Sequence, residues 1–139
     1  MDFVIDANVL MSMLISGKAS YKELTGYFHF ILPEFVFVEI EKYKDVIRTK
    51  SKLDEPQFNR FAYAVFSNLT ILPALLLAEE TKEKAEELTK DIDLKDAPYV
   101  ALALQLDLML LTNDKILEAG LKKKGFRKVM LFEAFLRNT

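Results

Sequence analysis

The chain has 139 residues, 51% of them hydrophobic, and a net charge of -2; this apolar content supplies one sizeable core and points to a single domain over residues 1–139. The absence of cysteine excludes disulfides, thiolate zinc sites and cysteine nucleophiles, and with His29 as the only histidine a Ser-His-Asp arrangement is a poor prospect. No apolar run approaches the roughly 20 residues that span a bilayer, and Met1-Asp2-Phe3 opens no secretory leader, so no membrane association and a cytoplasmic location are expected.

Short apolar runs alternate with longer helical patterns, which predicts βα units and an α/β fold with a largely parallel sheet. Phe3 to Ile5 reads as the first strand and Asn8 to Ser16 as a helix stopped by Gly17. A short helix covers Tyr21 to Leu24, Phe28 to Leu32 is a second strand containing His29, and Pro33 enters the first turn of a helix that runs to about Lys50. Asp54 caps the next helix, Glu55 to Asn68, whose Phe58, Phe61, Ala62, Val65 and Leu69 keep the helical period; the two helices are expected to form a hairpin. A brief strand, Thr70 to Leu72, is interrupted by Pro73, and Ala74 to Lys90 is helical with charges on one face. Beyond the loop Asp91 to Asp96 come a helix at Ala97 to Leu106, a strand at Leu108 to Leu111, a helix at Ile116 to Lys124 closed by Gly125, a fifth strand at Val129 to Leu131, and a short terminal helix.

Four acids stand out against this layout. Asp6 follows Phe3-Val4-Ile5 and Asp114 follows Leu108 to Asn113, so both lie at carboxyl ends of strands, where parallel sheets hold their ligands. Asp96 precedes the helix that opens Ala97-Pro98. Glu39 falls between Tyr43 and Val46 on the apolar stripe Val36, Ile40, Tyr43 and Ile47, and a carboxylate on a half-buried face needs a partner. Each also has an ordinary structural explanation: helix caps for Asp6, Asp96 and Asp114, and a salt bridge to Lys42 or Arg48 for Glu39. Asp93 is a further acid at the site or a solvated loop residue, and the Thr112 hydroxyl is placed to steady a carboxylate.

Two unit charges of like sign about 4 Å apart cost roughly 4 kcal/mol at an effective dielectric near 20, and a hard divalent cation removes that cost. Oxygen ligands without histidine or cysteine suit Mg2+ or Mn2+ rather than zinc, and such ions activate water and stabilise in-line displacement at phosphorus. The small negative charge leaves nucleic-acid affinity to local basic rims. Two are available: Lys42, Lys44, Arg48, Lys50 and Lys52, or Lys122, Lys123, Lys124, Arg127 and Lys128. Tyr43, Tyr63 and Phe126 are candidates for base stacking or for the core.

The segments Val4-Ile5-Asp6-Ala7-Asn8-Val9-Leu10, Lys95-Asp96-Ala97-Pro98-Tyr99-Val100-Ala101-Leu102-Ala103 and Leu111-Thr112-Asn113-Asp114-Lys115, together with Glu39, resemble the PIN domain, in particular stand-alone prokaryotic PIN proteins of the VapC toxin type. The resemblance implies a flavodoxin-like three-layer α/β/α sandwich on a central five-stranded sheet, and Mg2+- or Mn2+-dependent cleavage of RNA. It matches Asp6, Glu39, Asp96 and Asp114 to the family's metal-binding and catalytic acids and Asn8 and Thr112 to supporting polar positions. A homodimer and a small antitoxin partner are further implications. The rival reading is a catalytically inactive RNA- or protein-binding module, PIN-like or receiver-like, although a receiver needs a second acid beside Asp6.

Overall fold

A computed structural model describes all of residues 1–139. Five strands, β1 (Asp2–Ile5), β2 (His29–Pro33), β3 (Leu69–Leu72), β4 (Met109–Thr112) and β5 (Val129–Leu131), form one sheet in the order β3-β2-β1-β4-β5, and every neighbouring pair is parallel. Val4, Ile5, Leu110 and Leu111 in the two middle strands are fully buried. Strands covered on both faces read as continuous apolar runs, which is why these stretches lack polar alternation.

Eight helices surround the sheet: α1 (Ala7–Ser16), α2 (Ala19–Tyr27), α3 (Phe35–Lys50), α4 (Glu55–Ser67), α5 (Glu79–Thr89), α6 (Ala97–Leu106), α7 (Lys115–Lys123) and α8 (Phe132–Arg137). From β1 the chain steps outward through β2 to β3, then returns past β1 to β4 and β5. With right-handed crossovers the first steps lay α1 to α4 on one face and the later ones lay α5 to α7 on the other. This is the expected three-layer sandwich. The direction of travel reverses between β1 and β4, and parallel sheets hold ligands at the carboxyl ends of strands at such a point. Asp6 and Thr112 stand there.

Several local expectations are corrected. Pro33 ends β2, paired with Leu72, and does not open α3. The helix expected over Ala74 to Lys90 is broken: one turn covers Ala74–Leu76, Leu77 and Ala78 are extended, and α5 begins at Glu79. Gln105 of α6 accepts the Ala78 backbone N–H at 3.0 Å, catching the chain at the break. The fourth strand lies one residue later than Leu108 to Leu111, because Asp107 caps α6 in the left-handed conformation (φ 55) and Leu108 is spent in that cap. The short helix expected over Tyr21 to Leu24 extends to the full α2. No α3–α4 hairpin forms; α3 packs chiefly on α1, and α4 on α2 and α1, since Phe58, Phe61 and Val65 turn into the common core. His29 sits at the amino end of the sheet, bonded to Thr70 at 2.5 Å and Asp2 at 3.2 Å. No helix is long and apolar enough to cross a membrane.

Candidate functional site

Asp6 is the residue between β1 and α1, only 3% exposed, and its extended backbone makes it the cap of α1: Oδ1 accepts the Val9 N–H at 3.2 Å. Its other oxygen, Oδ2, accepts the hydroxyl of Thr112, the fully buried last residue of β4. The same Thr112 oxygen accepts the Asp114 N–H at 3.0 Å. One hydroxyl thus ties the carboxyl ends of the two middle strands together. Asp114 caps α7 with Oδ1, which accepts from Ile116 and Leu117 at 2.9 and 3.0 Å, and its second oxygen takes no part in the cap. Asn8 closes the rim, accepting the Asn113 N–H at 3.2 Å, while Asn113 Nδ2 reaches Ser12 Oγ at 3.3 Å.

Glu39 does not make the salt bridge that would be its ordinary structural explanation. Lys42 lies over the Tyr43 ring at 5.3 Å, and Arg48 over the Phe58 ring at 5.6 Å. Instead the Tyr99 hydroxyl, from a residue 1% exposed on α6, donates to Glu39 Oε1 at 2.5 Å. Val46, expected to widen the apolar stripe beside Glu39, is 45% exposed. Asp96 likewise does not act as the helix cap that would be its ordinary structural explanation. Its backbone is already helical and its side chain makes no capping bond; Pro98 at the second helical position offers no N–H to accept. Asp96 Oδ2 is left buried with no hydrogen-bond partner. Capping falls to Asp93, which accepts the Lys95 N–H at 3.1 Å and lies 3.9 Å from Lys95 Nζ.

Asp6, Glu39, Asp93, Asp96 and Asp114 line one cleft of about 260 Å³ together with Asn8, Tyr43 and Tyr99, and Lys95 is the one cation on its wall. Burial pushes the Asp6 carboxyl up to about 7, with the charges of Asp96 and Asp114 adding to the rise and the Thr112 and Val9 bonds opposing it. Asp96 is also pushed up to about 7, first by burial, then by Asp93, Asp114 and Glu39. The Tyr99 hydroxyl is driven upward by burial and by its bond to Glu39, so it stays a donor. In these positions no three carboxylates close on a common point at metal-ligand geometry. The chemistry of the set nevertheless fits a hard divalent cation: the carboxylate donors are oxygen alone, they outnumber the nearby cations, and the orphaned Asp96 Oδ2 is a buried acceptor awaiting a positive partner.

The PIN domain family model matches residues 4–133, nearly the whole chain. This chain is a member of the PIN domain family. PIN domains are generally nucleases that use divalent metals, so the acidic cleft of this PIN domain occupies the expected end of its sheet. Among solved structures, PAE2754 from Pyrobaculum aerophilum aligns with a TM-score of 0.68 at 16% identity, over 99% of this chain and 88% of that one; the likeness concerns the fold. No curated protein matches the sequence.

Sequence reasoning missed Tyr99, although a signal existed: it is the one side chain with a hydroxyl in the apolar stretch Ala97 to Leu104, three residues after Asp96. It missed Asn113 and Ser12 as well, whose bond ties the β4–α7 loop to α1, about a hundred positions away in the chain.

Proposed function

We propose that this PIN domain is an endoribonuclease that hydrolyses RNA phosphodiester bonds with Mg2+ or Mn2+ held by Asp6, Glu39, Asp96 and Asp114. The observation that carries the reading is the buried, unpartnered Asp96 Oδ2 in a cleft that already contains four further carboxylates. Bound there, the cation would neutralise the carboxylates, stabilise charge on the phosphate and lower the pKa of water, so that no histidine is needed as base. The chain's own contribution is position. Thr112 fixes Asp6 against Asp114, Asn8 holds the β4–α7 loop, and Tyr99 aims Glu39 across the cleft. Asp93 keeps Lys95 on the rim, beside Asp96. Attack by water rather than by the 2′-hydroxyl leaves a 5′-phosphate.

The test is incubation of RNA with Mn2+, Mg2+ or EDTA, comparing the native chain with Asp6→Asn and Asp114→Asn. Metal-dependent cleavage lost in both variants is the expected result. Equal cleavage by all three proteins points to a contaminant. No cleavage with any metal favours the inactive binding module, a reading supported by the spread of the carboxylates. Two roles extend the proposal: the toxin of a toxin-antitoxin pair, supported by the resemblance and tested by a small open reading frame upstream, and a homodimer, supported by exposed Phe37, Val38 and Val46 on α3 and Tyr63 on α4.

A further inference from the structure

The surface of the chain carries charge at two poles. One is the carboxylate cleft. The other is a hollow of about 390 Å³ where the carboxyl ends of α6 and α7 meet α5, lined by Lys84, Lys124, Arg127 and Lys128 against the single acid Asp107, with the half-buried ring of Phe126 among them. Lys124 is held by the Leu88 carbonyl at 3.0 Å and by Asp91. Lys128 is held by Asp107 through Oδ1 at 2.8 Å and the carbonyl at 3.0 Å. Lys84 and Arg127 are exposed and have no carboxylate partner. The paired lysines fix the walls, and the two free cations give the hollow its positive surplus.

The basic residues of α3 line no comparable hollow, and Lys50 and Lys52 at its carboxyl end, although exposed and without a carboxylate partner, form the rival rim that the control pair tests. Lys44 is engaged with Glu41 at 2.6 Å, while Lys42 and Arg48 lie against rings, and acids alternate with the cations along that face. A chain of net charge -2 with an acidic cleft repels a polyanion at that cleft, so the grip on the strand has to come from elsewhere. Both helices that begin at the carboxylates end at the hollow: α6 runs from beside Asp96 to beside Asp107, and α7 from beside Asp114 to beside Lys124. α6 is mostly buried, but α7 has an exposed outer face, and its nine residues rise about 14 Å. A stacked strand advances about 3.4 Å per nucleotide, so this span is about four nucleotides.

We propose that this hollow is a backbone-phosphate subsite for single-stranded RNA, about four nucleotides from the bond cut at the carboxylate cleft. Lys84 and Arg127 meet phosphates, and Phe126 offers a ring to one base. The substrate class rests on the ribonuclease reading; the binding does not require cleavage.

A labelled unstructured 12-nucleotide RNA, titrated in EDTA between 50 and 200 mM salt and followed by fluorescence anisotropy, tests the subsite. Lys84→Ala/Arg127→Ala is expected to weaken binding about tenfold or more at low salt. It should also flatten the log–log salt dependence by about 1.4, two contacts at about 0.7 each on a single strand. The control pair Lys50→Ala/Lys52→Ala, which removes the same charge at the end of α3, should stay within twofold of the native chain. Unchanged binding in the first pair, or an equal loss in both, overturns the proposal. In Mn2+, a 3-nucleotide substrate too short to reach the hollow should be cut equally by the native chain and the first pair, whereas KM for the 12-mer should rise only in that pair; a KM that does not rise contradicts the subsite. Absence of cleavage by the native chain would refute the nuclease reading and leave the anisotropy result intact.

Discussion

Removing the Asp6 charge should change how stability depends on pH, in a direction and by an amount that follow from its burial. The Asp6 carboxyl is raised from 3.8 to about 7 in the folded chain. Between these values the folded state keeps a proton that the unfolded chain has lost, so this group's contribution to stability falls as pH rises and is fully lost above about 7. From pH 5 to pH 7, where the folded group reaches half ionisation, the loss is roughly 2 kcal/mol. Asp6→Asn removes that dependence. Asparagine can still accept the Val9 N–H, and the Thr112 hydroxyl can turn to accept from the new amide, so the remaining cost of the substitution is nearly constant with pH. Thermal or urea melts in EDTA at pH 5 and pH 7 therefore carry the test: the stability difference should move by about 2 kcal/mol in favour of Asp6→Asn over that interval, about seven degrees in Tm for a domain of this size. A difference that stays constant, or moves toward the native chain, refutes the account of a strained buried carboxylate.

Other outcomes follow from the same geometry. Tyr99→Phe deletes the hydroxyl that fixes Glu39 and should raise the Mn2+ concentration for half-maximal cleavage about tenfold or more, with the melting curve little altered; an unchanged metal dependence excludes the positioning role. Thr112→Val takes from Asp6 a bond that opposes the rise of its pKa, so the acid limb of the pH–rate profile should move upward. Gly17→Ala places a Cβ 2.7 Å from Leu53 Cγ at a position with φ +65 and should cost about 1–3 kcal/mol by denaturant melts. Phe37→Glu/Val38→Glu should convert a dimer into a monomer in sedimentation experiments without loss of folding; a native chain already monomeric would dismiss that interface.

The placement of Asp6 and Asp114 was legible because a short apolar run followed by an acid and a helix says both where a strand ends and what stands at its end. Glu39 announced itself as a carboxylate on an apolar stripe, but its partner did not, since Tyr99 lies 60 positions away and meets it only across the cleft at the carboxyl end of the sheet. A helix cap is the ordinary explanation for Asp96 on local grounds, but the turn Leu94–Asp96 runs straight into α6, so Asp96 has a helical backbone and makes no capping bond while Asp93 caps that turn. Periodicity likewise joined Ala74 to Lys90 into one helix, where a tertiary bond from Gln105 holds the chain extended at Ala78. Patterns local to ten residues were readable; bonds across the fold were not.

The central claim is that separate carboxylates share one cation, and calorimetric titration of Mn2+ into the native chain and Asp96→Asn at pH 7 tests it most directly. The account predicts saturable binding by the native chain with release of about one proton, since Asp6 and Asp96 are each raised to about 7 and must ionise to bind, and at least a tenfold weaker affinity in the variant. Equal affinity in both, or no saturable binding by the native chain, contradicts it.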